Sequence, residues 1–545
     1  MTRTAHIDSF ARNNLPPREQ WPEFIFELPE LQYPERMNAA ALLLDRAVAA
    51  GQGDSPVIWT SVNGNPVHAT YSQLLARANQ IAHTLVDDLK LVPGNRVLLR
   101  GPNNPMMAAC WFGVIKAGMI AVATMPLLRA KELKQVIDKA KIGAALCDLN
   151  LAAEMENCRR PGEHFCADLK QVVYFNDASP QGLESRLESK PIGFRNCDTA
   201  AEDVALIAFT SGTTGEPKGT VHFHRDIIAM CDCFPRSCLK PKRDDIFCGT
   251  PPLAFTFGLG GMLAFPMRFG ASTVLMERLS PELLLKVVQD FRATVCFTAP
   301  TFYRQMAALV PRFDISSLKK CVSAGEALPD ATRQLFKEAS GIEIIDGLGA
   351  TEMIHIFISH TPESARRGAT GYAIPGYKAR VVDEAGKPCP PGVVGKLAVK
   401  GPTGCRYLAD ARQKNYVRNG WNITGDAYAM DAAGYFYYQA RTDDMIISAG
   451  YNIAGPEVEF CLLAHEAVAE CGVVGVADEE RGQIVKAFVV LRPGFKGDDA
   501  MAKTLQDYVK AGIAPYKYPR AVAFVATLPR TETGKLQRFK LRTVT

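Results

Sequence analysis

Several signals that would assign a 545-residue chain to a familiar class are missing from this sequence. The net charge is only +5, too mild for a dedicated nucleic-acid-binding protein, and no internal repeat or coiled-coil heptad is visible. The first twenty residues contain no apolar signal-peptide core, so we expect a cytoplasmic protein. The most apolar stretch, 105–128, carries Lys116 near its centre and is interrupted by Gly118 and Pro126. These residues favour a buried helix followed by a strand over a membrane span.

Motifs for structural metals and for serine hydrolysis are also missing. Because no signal peptide is visible, we expect the fifteen cysteines to be reduced and mostly buried thiols, and they include no C-x-x-C pair that would suggest a metal site. No G-x-S-x-G motif occurs, which disfavours a serine hydrolase. Two histidines and two cysteines do lie close together, but their spacing matches no common zinc module. We therefore interpret them as structural: His222, His224, Cys231 and Cys233.

Strand-like and helix-like segments alternate from about residue 55 to about residue 400. The segment 280–291 reads as a helix, with Ser280 as its N-cap before Pro281. This alternation predicts α/β layers with largely parallel sheets, in which ligands bind at the carboxyl ends of the strands. Clear strand-like runs are 96–101, 143–149, 272–277, 293–300 and 342–349.

The sequence pattern changes beyond about residue 370, where short strand-like runs separated by turn residues predict an antiparallel β-unit. The last block of the chain has strand-like and helix-like segments that could fold alone. We therefore predict an α/β fold with two domains. The large N-terminal domain, 1–442, contains layered α/β subdomains plus the β-unit, and a small mobile α+β C-terminal domain, 443–545, follows it.

The stretch "TSGTTGEPKGT", residues 210–220, is the first candidate for chemistry. It follows the apolar run 204–209 and combines five hydroxyl side chains, three glycines and Lys218. Such a loop offers backbone N–H groups, hydroxyls and an ammonium to a polyphosphate. It is not a Walker A loop, because Pro217 stands where that motif needs glycine. A mobile surface turn is the alternative that this loop alone leaves open.

Four further stretches carry polar residues suited to a nucleotide. In "GLGATEM", 347–353, Thr351 can hydrogen-bond a phosphate and Glu352 can hold Mg²⁺. In "WNITGDAY", 421–428, Asp426 can accept from ribose hydroxyls. The remaining two are "ARTDDMIISAGYNIAGPEVE", 440–459, where Arg441 stands beside an acidic pair, and "LPRTETGKLQR", 528–538, a turn with Lys535.

These five stretches, in this order, resemble the motifs of the adenylate-forming superfamily of acyl-CoA synthetases, luciferases and adenylation domains. The resemblance runs from about residue 35 to about residue 542. It implies that the first stretch cradles the β- and γ-phosphates of ATP, which leave as pyrophosphate. It also implies ATP, Mg²⁺ and coenzyme A as cofactors, and an acyl-AMP intermediate that the thiol of coenzyme A attacks.

Three other segments, "TEMIHIF", "FGLGGMLAFPM" and "GYAIPGYKARVVDE", are similar to the benzoate-CoA ligase branch, and within it to 2-aminobenzoate-CoA ligases. Two residues depart from the wider family. Leu348 stands where an aromatic residue often stacks on adenine, and Phe255 stands where many relatives have histidine. Both are branch characters that favour an apolar, aryl-shaped pocket. Flat aromatic walls with glycines suit a planar ring, and core packing is the alternative for these aromatics.

The resemblance assigns residues to five sites. The catalytic residues are Lys535, Thr351 and Glu352, and Glu352 is also the Mg²⁺ ligand. The ATP/AMP site comprises Thr210, Ser211, Gly212, Thr213, Thr214, Gly215, Lys218, Gly325, Glu326, Ala327, Asp346, Gly347, Thr351, Asp426 and Arg441. The aryl pocket comprises Phe255, Thr256, Phe257, Gly258, Ala324, Gly349, His355 and Ile356. The hinge is Asp443, and the coenzyme A site comprises Ser448, Ala449, Gly450, Tyr451, Tyr516, Lys517 and Arg520, for the last three of which solvated surface charge is an equal alternative.

We expect an ATP-dependent aryl-CoA ligase, with 2-aminobenzoate favoured because Thr256 could hydrogen-bond an ortho substituent. Alternatives are a benzoate-CoA or 2-hydroxybenzoate-CoA ligase, or a stand-alone adenylation enzyme that loads a carrier protein. An amino-acid-activating domain is disfavoured because "PPLAFTFGLGG" has no aspartate for a substrate ammonium. A non-catalytic nucleotide sensor is disfavoured by the presence of both Lys218 and Lys535. The expected partners are small molecules, with no nucleic acid and no membrane span, and a homodimer is left open.

Overall fold

A computed structural model describes residues 3–210, 216–278, 280–441, 444–448, 451–478, 481–530 and 536–543. The predicted α/β architecture with a large N-terminal and a small C-terminal domain is confirmed. The predicted boundary between residues 442 and 443 lies outside the described residues and stays a prediction.

The first sheet has six strands, of which five are parallel and the last, Lys218–Phe223, is an antiparallel edge. Its inner strand Arg96–Arg100 is fully buried, as expected for a strand that is covered on both faces. In spatial order the strands are Gln171–Phe175, Ala144–Asp148, Arg96–Arg100, Ile120–Thr124, Val204–Thr210 and Lys218–Phe223.

The second sheet has nine strands, with a parallel centre and antiparallel strands at both edges. The largest buried apolar cluster takes residues from both sheets, for example Leu99 and Phe297, so the two layers share one core. In spatial order the strands are Tyr372–Ala373, Ile356–Ser359, Ile344–Gly349, Lys320–Ala324, Val295–Thr298, Ile246–Gly249, Ser272–Val274, Pro56–Val62 and Asn65–Thr70.

Helices connect the parallel strands, and their caps are readable in the sequence. Ser280 accepts a hydrogen bond from the Leu283 amide at 3.2 Å, which confirms the predicted helix Pro281–Phe291 and its cap. The other helices of eight or more residues in the N-terminal domain are Tyr71–His83, Pro105–Lys116, Ala130–Ala140, Ala152–Arg159, His224–Phe234, Pro300–Ala307 and Asp330–Ser340.

The apolar stretch 105–128 forms a buried helix, Pro105–Lys116, followed by the strand Ile120–Thr124, as predicted. The fully buried Lys116 ammonium donates to both carboxylate oxygens of Asp45 at 2.6 and 2.7 Å, which offsets the cost of burying its charge. Among the described helices, none has the length and apolarity that crossing a bilayer requires.

The β-unit and the C-terminal domain also follow the prediction. The β-unit is an antiparallel sheet of the strands Lys378–Val382, Gly395–Lys400, Val417–Arg418, Trp421–Met430 and Phe436–Arg441. The C-terminal domain contains the hairpin Ile446–Ser448 with Tyr451–Ile453, the strands Val468–Asp478, Gly482–Leu491 and Ala521–Phe524, and the helices Gly455–Leu463, Asp499–Gly512 and Arg538–Arg542.

The state of the cysteines agrees with the prediction of reduced, mostly buried thiols. All fifteen cysteines are unpaired, and most of them are buried. His224 accepts from the Ala39 amide at 3.1 Å, so this buried histidine has a structural partner. Across the described ranges, no group of three His, Cys, Asp or Glu side chains is arranged to hold a metal ion.

Candidate active site

The predicted phosphate loop lies between the last two strands of the first sheet. Thr210 and Lys218 are cross-strand partners, so both ends of the stretch 210–220 belong to paired antiparallel strands. The prediction of a loop over all eleven residues was too long, because the run Lys218–Phe223 pairs back along Val204–Thr210. Predicted site residues that lie outside the described residues are Ser211, Gly212, Thr213, Thr214, Gly215, Asp443, Ala449, Gly450 and Lys535.

Lys218 and Glu352 come together around Tyr407, a residue that the sequence did not indicate. The Tyr407 hydroxyl donates to Glu352 Oε1 at 2.5 Å and accepts from Lys218 Nζ at 3.5 Å. The Lys218 ammonium also lies 5.2 Å from the centre of the Tyr407 ring. Burial, reinforced by the Glu352 carboxylate, raises the pKa of Tyr407 far above its ordinary range, so the phenol stays protonated and donates.

A buried chain of polar groups supports the short turn Thr351–Met353. His222 Nε2 lies 2.8 Å from the Thr351 carbonyl, so this nitrogen carries the proton and donates. On the other side of the ring, His222 Nδ1 lies 3.8 Å from Asp226, which forms an ion pair with Arg406. Burial opposes ionisation of Asp226, but the Arg406 charge together with His222 and Arg225 outweighs it, and the pKa of Asp226 is lowered. His222, considered above as a zinc candidate, therefore contacts the predicted phosphate-binding turn instead.

Asp426 and Arg441 are cross-strand partners in the β-unit. Arg441 Nη1 lies 3.5 Å from Asp426 Oδ1, which places a carboxylate and a guanidinium on one edge of the sheet. Gly425 makes this possible, since a Cβ atom there would lie 2.5 Å from Arg441 Nη2. The pair suits the ribose of a nucleotide, with the carboxylate accepting from hydroxyls.

Neighbouring strands of the second sheet bring the segment Gly325–Ala327 next to Asp346 and Gly347. Ala324 and Gly347 are Cα partners in these strands. Asp346 is buried, and its Oδ1 has no hydrogen-bond partner within the described part of the chain. Burial raises the pKa of Asp346 to about 8, so this carboxyl is largely protonated at neutral pH. A pocket lined by Ala327 and Asp346 together with Tyr438 and Phe460 opens beside it.

Of the predicted aryl residues, Phe257 and Gly349 lie against the buried His355, and Phe265, which was not predicted, joins them. The His355 ring centre lies 4.5 Å from that of Phe265 and 5.7 Å from that of Phe257, and Nε2 lies 3.3 Å from the Phe257 carbonyl. Burial lowers the pKa of His355 to about 3, so the imidazole is neutral. Gly349 lies directly against this residue, since a Cβ atom there would meet the His355 backbone at 2.9 Å.

Ile356 and Thr256 complete this region. A Cβ atom at Gly347 would meet Ile356 Cδ1 at 2.5 Å, so glycine is required where the strand passes this side chain. Phe255 precedes the short helix Thr256–Leu259, and Thr256 exposes only 7% of its surface. The structure shows no hydrogen bond between the Thr256 hydroxyl and any described residue.

Asn103 is a second residue that the sequence did not indicate. Its Nδ2 donates to the Pro251 carbonyl at 3.0 Å, and its Oδ1 accepts from the Leu253 amide at 2.8 Å. Asn103, which follows a strand of the first sheet, therefore holds the loop that leads from the second-sheet strand Ile246–Gly249 into the aryl region. Gly258 fits under the same loop, because a Cβ atom there would meet the Pro252 carbonyl oxygen at 2.0 Å.

The predicted coenzyme A residues lie on the C-terminal domain. Ser448 pairs with Tyr451 across the hairpin. Lys517 donates to both carboxylate oxygens of Glu457 at 2.6 and 2.7 Å, so its charge is already neutralised within the domain. Arg520 stacks its guanidinium 4.7 Å from the centre of the Tyr518 ring, whereas Tyr516 is exposed.

Two arginines, Arg304 and Arg530, connect the N-terminal and C-terminal domains near the predicted nucleotide site. Arg304 donates to the carbonyls of Leu463, Val468 and Ala469 in the C-terminal domain at 3.2, 3.3 and 3.2 Å. Arg530, which directly precedes residues 531–535, lies 3.6 Å from Glu326 and 2.7 Å from Glu470. The C-terminal domain is thus docked against the segment that was predicted to bind the nucleotide.

The chain belongs to the AMP-binding enzyme family, whose sequence model matches residues 45–407. The model of the AMP-binding enzyme C-terminal domain matches residues 457–535. The resemblance to the adenylate-forming superfamily is thereby confirmed, and the protein is an AMP-forming acid–thiol ligase. It is 34% identical over 520 residues to the benzoate–CoA ligase of Thauera aromatica, covering 94% of this chain and 97% of that protein.

Two solved structures share the fold over nearly the whole chain. The anthranilate CoA ligase AuaEII, solved in complex with anthranoyl-AMP, is 31% identical and covers 95% of this chain and 98% of its own, with a TM-score of 0.87. A benzoate CoA ligase from Burkholderia xenovorans LB400 is 29% identical and covers 93% of this chain and 100% of its own, with a TM-score of 0.84. These comparisons confirm the benzoate-CoA ligase branch.

Proposed function

We propose that this protein is an aryl-CoA ligase that converts 2-aminobenzoate to its CoA thioester through an aryl-AMP intermediate. The observation that carries the proposal is the aryl region, where the rings of Phe257 and Phe265 lie around the neutral His355 and closely packed glycines bring the backbone against them. The named activities of the similar proteins, benzoate–CoA ligase and anthranilate CoA ligase, support an aromatic acid.

In the first half-reaction the carboxylate of the acid attacks the α-phosphorus of ATP and pyrophosphate leaves. No general base is needed, because an aromatic carboxylate is already ionised at neutral pH. The protein's task is to bring two anions together, which requires alignment and positive charge. We assign Lys218 and Thr351 to the phosphates and the Asp426–Arg441 pair to the ribose. Lys535 is the proposed bridge between the carboxylate and the α-phosphate.

Glu352 fits a magnesium ion that arrives with the nucleotide. One of its carboxylate oxygens accepts from Tyr407, and we find no described residue that hydrogen-bonds to the other. A single carboxylate plus substrate phosphates is a donor set that Mg²⁺ commonly uses. When bound, the ion would neutralise charge on the phosphate oxygens.

In the second half-reaction the thiol of coenzyme A attacks the acyl carbon and AMP leaves. We propose that the C-terminal domain rotates about Asp443, so that Ser448–Tyr451 replaces Lys535 beside the acyl group. Tyr516 and Arg520 remain candidates for the nucleotide part of coenzyme A. The Glu457 partner of Lys517 makes a structural role for that lysine the stronger interpretation. The fifteen unpaired cysteines support a reducing compartment, and we place the reaction in the cytoplasm.

The decisive experiment measures AMP formation from a panel of aromatic acids, with and without coenzyme A. We expect CoA-dependent turnover with 2-aminobenzoate, benzoate and 2-hydroxybenzoate as the leading acids. AMP release that needs a carrier protein as the acyl acceptor and not coenzyme A would instead favour the carrier-loading alternative.

The half-reactions should separate when Lys535 is changed. Lys535→Ala should slow adenylation about a hundredfold, equivalent to about 3 kcal/mol, while supplied aryl-AMP is still converted to thioester. Lys540→Ala, at another basic position near the end of the chain, is the control. Equal loss in both half-reactions would remove Lys535 from the proposed role.

A further inference from the structure

Tyr407 lies between two residues of opposite charge that both face the proposed phosphate site. Its hydroxyl accepts from the Lys218 ammonium and donates to the Glu352 carboxylate. Both charged groups contact the Tyr407 hydroxyl, and no direct ion pair between Lys218 and Glu352 is found among the described side chains. The hydroxyl therefore satisfies each charge partially while keeping the two apart.

The position of Tyr407 is set by contacts that have nothing to do with a ligand. The side chain is fully buried, and the backbone amide donates to Gln413 Oε1 at 2.9 Å. Gln413 is itself buried and donates to the carbonyls of Gln20 and Cys405. The backbone of Tyr407 also forms a β-bridge with Thr220, two residues beyond Lys218. A hydroxyl held this firmly can impose an orientation on more flexible neighbours.

We infer that Tyr407 is a positioning residue that keeps Lys218 and Glu352 separately available, one for the phosphates and the other for the metal that accompanies them. Without the hydroxyl, two opposite charges this close to a shared partner would pair directly and neutralise each other. Each would then have to be separated again when the metal–nucleotide arrives. This inference rests on the proposed function, because it takes the ligand to be a nucleotide with a divalent cation.

The test replaces only the hydroxyl. Tyr407→Phe keeps the ring beneath Lys218, and Tyr416→Phe is a matched control, since the Tyr416 ring centre lies 5.8 Å from that of Tyr407. Binding of Mn²⁺ with a non-hydrolysable ATP analogue is measured by calorimetry and by the Mn²⁺ resonance signal. We expect about tenfold weaker binding for Tyr407→Phe, unchanged binding for Tyr416→Phe, and equal melting temperatures for both variants.

A double-mutant cycle separates positioning from mere structure. In a Glu352→Gln background the charge to be held apart is absent, so Tyr407→Phe should cost little further binding. Thioester formation from supplied aryl-AMP should be unaffected by Tyr407→Phe. An equal loss in both backgrounds, or binding within twofold of the control, would overturn the inference. Failure of the wild-type protein to bind the metal–nucleotide at all would instead count against the proposed function.

Discussion

Thr256 is the residue on which the choice between aromatic acids depends. Thr256 is a buried residue at the start of the short helix Thr256–Leu259, and no hydrogen bond between its hydroxyl and a described residue is found. A buried hydroxyl without a partner costs about 1–3 kcal/mol, so an acid that supplies an ortho donor or acceptor gains that much over benzoate.

We therefore expect Thr256→Ala to lower kcat/KM for 2-aminobenzoate by about tenfold or more while leaving benzoate nearly unchanged. The measurement is kcat/KM for 2-aminobenzoate, benzoate and 2-hydroxybenzoate in both proteins. Thr361→Ala, at the cap of the short helix Pro362–Ser364, is the control. If the variant retained the full wild-type order of preference, Thr256 would have no part in reading the ring.

Asp346 predicts a pH dependence of stability. The fold raises its pKa from 3.8 to about 8 through burial, so the folded state holds the proton more tightly than the unfolded chain. The stability that this group contributes is fully present below its unfolded pKa and is lost as the pH rises through 8. Between those limits the free energy of unfolding falls with a slope of up to about 1.4 kcal/mol per pH unit.

Asn cannot ionise, so Asp346→Asn should abolish this contribution. We expect the melting temperature of the wild type to fall relative to that of the variant between pH 5.5 and 8.5. Thermal unfolding of both proteins across this range is the measurement, and Asp314→Asn, at an exposed carboxylate, supplies the control. Parallel curves for the wild type and Asp346→Asn would show that the carboxyl is already ionised in the fold.

At the scale of elements, the sequence predicted what local patterns determine. The alternating apolar runs located the strands, and a residue such as Ser280 located a helix start, because caps and periodicity act within a few positions. The five motifs predicted the candidate site residues from local patterns in the same way. The sequence did not predict the roles of Asn103 and Tyr407, because their hydrogen-bond partners lie 148 and 55 residues away along the chain. Contacts of that kind depend on how the layers stack, which no single segment encodes.

The loop that Asn103 holds gives a prediction at this scale. Asn103→Asp removes the donor to the Pro251 carbonyl and sets two oxygens against each other, at a cost of about 1–3 kcal/mol. Because this loop leads into the aryl region, KM for the aromatic acid should rise about tenfold while KM for ATP stays unchanged.

Asn79→Asp is a matched control, since this buried amide also donates to a carbonyl, that of Ile192, at 2.7 Å. Steady-state kinetics with each substrate varied in turn, together with melting temperatures, make the comparison. A similar change in KM for both substrates, or for both variants, would mean that the loop does not shape the aryl region.

At the scale of the whole molecule, Arg304 holds the two domains in the described arrangement. Its guanidinium donates to three carbonyls at the end of the helix Gly455–Leu463 and beyond it, where the helix dipole also favours a cation. In this arrangement Arg530 and Leu536, which flank residues 531–535, form a β-bridge, and Arg530 lies beside Glu326. We therefore associate this docking with the half-reaction that needs Lys535.

Arg304→Ala should slow adenylation about tenfold and leave the conversion of supplied aryl-AMP to thioester unchanged or faster. Single-turnover rates of the two half-reactions are the measurement. Arg312→Ala is the control, because this exposed arginine pairs with Glu282 inside the N-terminal domain. Equal slowing of both half-reactions would show that Arg304 only stabilises the fold.

Arg304 recognises its partner domain through peptide carbonyls alone, and the side chains at positions 463, 468 and 469 take no part in these hydrogen bonds. Substitutions at those positions can therefore accumulate without weakening the contact, provided that the helix still ends at the same place. A C-terminal domain transplanted from a distant homologue would offer Arg304 the same three carbonyl acceptors. The contact made by Arg304 is therefore independent of side-chain identity in the C-terminal domain. This independence favours the construction of chimaeras by domain exchange.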